Sequence, residues 1–155
     1  MKKPLLTEIC SALLLILFAY TATSKFLDYN LFVFQMKRAP LPLMQTIAPV
    51  LGWLLPILEM LIVLGLSIVR FRLSALYGAV ILLAVFEMYI TGMLLTNQHL
   101  PCTCGGIIST MSWKQHLVFN AVFILLGIVA IMQTKKYQFF RVKPRQEKLQ
   151  DLSRA

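Results

Sequence analysis

Four apolar runs, each long enough to cross a bilayer, take up most of this 155-residue chain and leave little freedom in how it folds. A transmembrane helix needs about 20 mostly apolar residues, and the runs cover residues 5–23, 47–69, 73–96 and 116–134. With 59% hydrophobic and 14% charged residues, the chain has too little polar surface to enclose a soluble core. A bilayer offers backbone N–H and C=O groups no partner, so each run must satisfy its own as a helix. The expected fold is therefore all-α, an integral membrane four-helix bundle whose solvent is the lipid bilayer. Residues 1–134 supply the bundle and residues 135–155 a basic tail, with no room for a separate soluble domain.

The net charge of +9 invites a nucleic-acid reading, but the basic residues stand at the ends of the apolar runs and belong to no recognition fold. They read instead as topology signals. Lys2, Lys3, Arg70, Arg72, Lys135, Lys136, Arg141, Lys143, Arg145, Lys148 and Arg154 fall on one side, against Lys25, Lys37, Arg38 and Lys114 on the other. The positive-inside rule then puts both termini in the cytoplasm and the connection between the third and fourth runs outside the inner membrane of a bacterium. A cleaved signal peptide, with Ala22-Thr23-Ser24 near its end, is an alternative for the first run. It leaves the direction of the other three unchanged. The tail, with Tyr137, Phe139 and Phe140 among its basic residues, is expected to lie against anionic lipid.

Residues 25–46 are too short and too punctuated to span. Phe26, Tyr29, Phe32, Val33 and Met36 suit the apolar face of a short interfacial helix ending before Pro40 and Pro42, and an ordinary outer loop fits as well. Lys25 and Asp28, three residues apart, are placed to pair at the mouth of the bundle.

Glu59 and Glu87 fall inside the second and third runs, where an ionised side chain costs several kcal/mol unless it faces protein or water. At 1.5 Å per residue their depths from the outer side are roughly 18 and 14 Å, so the two carboxyls are expected at one level, sharing a proton. Trp53, Pro56 and Glu59 recur at i, i+3 and i+6, and His116 and Asn120 stand one turn apart with Gly127 further along. Polar glue between helices explains these groups. A proton or quinone site built on Glu59, Glu87 and Trp53 explains them too.

The remaining chemistry is in the cysteines. Cys10 is near the cytoplasmic end of the first run, too far from Cys102 and Cys104 to form a disulfide with either, and reads as a small apolar residue. The outer segment runs Pro101-Cys102-Thr103-Cys104-Gly105-Gly106, turn-forming residues around two nearby sulfurs. A disulfide across one residue closes a very small ring, which should be strained, oxidising and a weak staple. Thiol–disulfide exchange is thus the leading reading. A metal role, in which the two thiolates hold Cu(I) with His99 or Met111, competes with it, although a four-ligand zinc site lacks donors.

Three segments, Ser24-Lys25-Phe26-Leu27-Asp28, Leu55-Pro56-Ile57-Leu58-Glu59 with Gly65, and Cys102-Thr103-Cys104-Gly105-Gly106, in this order around the four runs, resemble the MauE branch of the DoxX-like membrane proteins. That resemblance covers about residues 5–134 and excludes the tail. It implies a membrane bundle associated with thiol redox outside the cytoplasm and, for MauE itself, with maturation of the exported, disulfide-rich small subunit of methylamine dehydrogenase. It places the family's cysteine motif on Cys102 and Cys104, its membrane carboxylate on Glu59 and its loop lysine on Lys25. The expected function is a membrane thiol-disulfide oxidoreductase acting on an exported thioredoxin-like or disulfide-containing client, with a quinone as electron carrier by analogy to other membrane thiol oxidoreductases. The alternatives are a non-catalytic assembly factor and a copper-handling protein.

Overall fold

The computed structural model describes residues 5–37, 42–95 and 113–154. They form five helices, α1 (Leu5–Leu27), α2 (Tyr29–Lys37), α3 (Pro42–Ser67), α4 (Arg72–Leu95) and α5 (Trp113–Arg154), and no strand occurs among the described residues. Four are long and apolar enough to cross a membrane, over Leu5–Leu27, Leu43–Ser67, Arg72–Gly92 and Lys114–Tyr137. The long helices close into a ring in which α1 touches α3 and α5, and α4 touches the same two. Large apolar side chains such as Ile16, Leu61, Ile81 and Leu125 point outward, as lipid contact requires.

The ring closes around Cys10, Leu14, Phe18, Leu66, Leu76, Ala79 and Ala130. Between lipid-facing helices no hydrophobic effect favours contact, so close approach depends on small residues. A Cβ at Gly65 would lie 2.8 Å from that of Ala75 on α4, and one at Gly127 would lie 2.5 Å from Cγ2 of Val80. Gly127→Leu should therefore push α5 off α4 and cost about 1–3 kcal/mol by overpacking, read as a lower unfolding temperature in detergent.

Arg72 fixes one end of the bundle. Its Nη1 donates to Glu8 Oε1 at 2.6 Å and its Nε to the Leu66 carbonyl at 3.4 Å, near the end of α3. Lys135 on α5 lies 5.2 Å from the ring centre of Tyr77 on α4. The start of α1, the α3–α4 turn and the basic part of α5 thus share an end, the grouping expected from the charge count. Buried Cys10 belongs to this end, one helix length away from where α4 finishes at Leu95.

Between α1 and α3 the chain forms the short helix rather than an ordinary loop. Asp28 N donates to the Ser24 carbonyl at 3.0 Å and Phe32 N to that of Asp28 at 2.9 Å, so the backbone bonding runs through the corner. The face carrying Phe32, Val33 and Met36 docks on α3 around Ala48, leaving Leu31 and Phe34 outermost. The fourth apolar stretch ends near Thr134, with a candidate span over Lys114–Tyr137, while the helix itself continues through the basic tail to Arg154. Lys, Arg, Gln, Glu and Leu are good helix formers, so a change of polarity after Thr134 is no change in backbone preference.

Candidate functional site

On α1 the buried positions Leu14, Phe18 and Ala22 form a stripe at helical spacing, and Lys25 is its next member. On α3 the corresponding stripe runs Ala48, Gly52, Pro56, Glu59 and Leu66. Ala48 and Gly52 of this stripe meet α2, and α1 packs on α3 so that Lys25 and Glu59 come together. Lys25 Nζ donates to Glu59 Oε1 at 2.5 Å, with 6% of Lys25 and 2% of Glu59 exposed. Lys25 is not the partner of Asp28. Helical phase turns the lysine inward and leaves the aspartate on the exposed side of the corner.

Taking two charges out of water costs several kcal/mol per ion, and mutual attraction offsets this only in good geometry with further partners. Here the ammonium also lies between two rings, 5.8 Å from the centre of Phe32 and 5.6 Å from that of Phe86. The Thr21 side chain flanks Glu59. Glu59 Oε2, though buried, has no hydrogen-bond partner among the described residues.

Beside the pair is a cavity of about 240 Å³. Every helix contributes to it: Leu17, Phe18, Thr21 and Lys25 from α1, Phe32 and Met36 from α2, Leu55 and Glu59 from α3, Phe86 and Tyr89 from α4, His116 and Asn120 from α5. His116 and Asn120, one turn apart, are both buried. Asn120 also stands beside the carboxyl of Glu87, whose buried Oε2 has no hydrogen-bond partner among the described residues. The two glutamates do not pair as their depths suggested. Depth places them at similar levels but leaves rotation about each helix open, and rotation gives Glu59 to Lys25 and Glu87 to Asn120.

Trp53 does not line this cavity. Steps of three residues turn a helix by about −60° each, so two steps put Trp53 some 120° from Glu59. It is 54% exposed and packs on Tyr29 and Phe26, with ring centres 5.1 and 6.0 Å away. Sequence reading missed Lys25 as the partner of Glu59, as well as Phe32 and Phe86 as its walls. For Lys25 the available signal was its place in the apolar stripe of α1. Phe86 had none, since α4 is apolar on every side.

Cys102 and Cys104 lie outside the described residues, as do His99 and Met111. Among the described residues no group of three or more His, Cys, Asp or Glu side chains is arranged to hold a metal. The described site is thus an enclosed ion pair in an aromatic-walled cavity, with spare donors on the ammonium and a spare acceptor on the carboxylate.

The model of a protein family described as methylamine utilisation protein MauE matches residues 3–133 of this chain. No match was found among curated proteins or solved structures.

Proposed function

Since this chain belongs to the MauE family, we propose that it is a thiol–disulfide redox protein acting on an exported client at the outer face of a bacterial cytoplasmic membrane. The family's description suggests a client from methylamine utilisation, an exported disulfide-containing protein or the thioredoxin-like carrier that serves it. The reading rests chiefly on one observation. The segment with Cys102 and Cys104 leaves α4 at Leu95 and enters α5 at Trp113, and those helix ends bring Tyr89, Ile90, His116 and Asn120 to the cavity. The ends of α4 and α5 that flank the cysteine segment are those at the Lys25–Glu59 end of the bundle, away from the basic end, which supports this reading.

In the reaction, a client thiolate attacks the Cys102–Cys104 disulfide and displaces one sulfur as thiolate, forming a mixed disulfide. A second client thiolate attacks that bond, leaving an oxidised client and a reduced cysteine pair. Two electrons and two protons must then leave the pair for a membrane-soluble acceptor before the next turnover. Lys25 and Glu59 hold α1 and α3 together and keep a movable proton in the apolar interior.

The test is the double variant Cys102→Ser/Cys104→Ser, expressed with its client. Client disulfide formation should fall to the level of cells lacking the protein, while the bundle accumulates normally. If the double variant still supports the client's disulfides, the redox role is lost and a non-catalytic assembly factor remains.

A further inference from the structure

Between α3 and α4, a surface groove of about 560 Å³ runs along the bundle, lined by Ile62, Gly65, Ala75, Gly78 and Leu82. Its last lining residue, Val85, also lines the cavity, and Val85 is 55% exposed to the lipid side. Cavity and groove therefore adjoin at one side chain. The first has a charged pair and aromatic walls, and the second is almost wholly apolar. Such a pair of spaces fits an amphiphile with a compact polar ring and a long apolar tail.

The chemistry of each part narrows the ligand. Lys25 and Glu59 neutralise one another, so an ionic headgroup entering the cavity would remain without a counter-charge, whereas a neutral ring keeps the balance. A dry cavity of roughly 150 Å³ holds one benzene ring, so this space accommodates a substituted ring and excludes the tail. Phe32 and Phe86, which the ammonium overlies, make the wall beside it aromatic. The ammonium has three donors, of which Glu59 Oε1 takes one, leaving others for a carbonyl oxygen. Asn120 supplies polar atoms further along the wall.

We propose that this composite site binds an isoprenoid quinone, with its ring in the cavity beside Lys25 and its tail in the α3–α4 groove past Val85. The inference rests on the redox function proposed above and deepens it, because the quinone is the acceptor that function needs. Oxidation of the Cys102 and Cys104 thiols to one disulfide releases two electrons and two protons, and reduction of a quinone to a quinol takes up two of each. The ammonium of Lys25 stabilises negative charge on the carbonyl oxygen and passes it a proton. The second proton comes through Glu59, and the two thiol protons replace those consumed.

The experiment uses the purified full chain in detergent, equilibrated with short-tailed ubiquinone or menaquinone, with bound quinone extracted and measured by its absorbance. Wild-type protein and Cys102→Ser/Cys104→Ser should both bind one equivalent saturably, since binding does not need the thiols. Val85→Trp, a lipid-facing change that blocks the junction, should weaken binding at least tenfold. Val122→Trp, equally lipid-facing on α5 and outside both spaces, should not. The site is refuted if Val85→Trp binds like wild type, if no saturable binding occurs, or if a ring-less phospholipid displaces the quinone as well as another quinone does. Loss of client oxidation in the double cysteine variant is scored separately, so the redox reading can stand while this site falls, and the reverse.

Discussion

Glu59→Ala, leaving Lys25 in place, should destabilise the bundle by about 3–5 kcal/mol, the cost of stranding a buried ammonium between Phe32 and Phe86. Lys25→Met should cost a similar amount by leaving the Glu59 carboxylate alone. The combined variant Lys25→Met/Glu59→Leu behaves differently. With both charges gone and similar volume in place, stability should return to within about 1 kcal/mol of the parent or exceed it, while client oxidation should be lost. Asp28→Asn, at an exposed corner, should change stability by no more than about 0.5 kcal/mol. Thermal unfolding in detergent, paired with client oxidation in cells, measures all four. A double variant with full function would reduce the pair to a structural feature.

Single cysteine variants should abolish client oxidation as completely as the double one, and they should differ in what they accumulate. A lone cysteine thiolate bonds to the client only by attacking the disulfide of an oxidised client, which releases one client thiolate, and with its neighbour removed no second thiol of this chain completes the exchange. Of Cys102→Ser and Cys104→Ser, one should therefore build up a covalent adduct with the client, seen as a band on non-reducing gels that disappears on reduction. Adduct in neither variant, with client oxidation retained in one, would contradict a two-cysteine cycle.

Most of the architecture was legible because its cause is simple. Backbone groups in hydrocarbon must bond within a helix, so run length marks the four long apolar helices, the last of which continues past its apolar part. The site was legible in part. Glu59 stood out because a carboxyl inside an apolar run calls for a partner, and His116 and Asn120 because they share a face one turn apart. Sequence proximity pairs Lys25 with Asp28, whereas helical phase with Phe18 and Ala22 turns it inward. Depth arithmetic suggested that Glu59 and Glu87 meet, since it fixes height without rotation. The i+3 spacing grouped Trp53 with Glu59, although two such steps drift a third of a turn. Val85 could not be singled out, because α4 is apolar all round and its junction role depends on how α3 packs.

On the proposed function, Cys102 and Cys104 form an exchanging pair outside the membrane. The most direct test of this is the thiol state of the two residues in intact cells, probed with a membrane-impermeant alkylating reagent before and after reduction. Little labelling is expected at first and full labelling of both after reduction, with buried Cys10 unlabelled throughout. Thiols that react fully without reduction, or that become reachable only once the membrane is permeabilised, would contradict it.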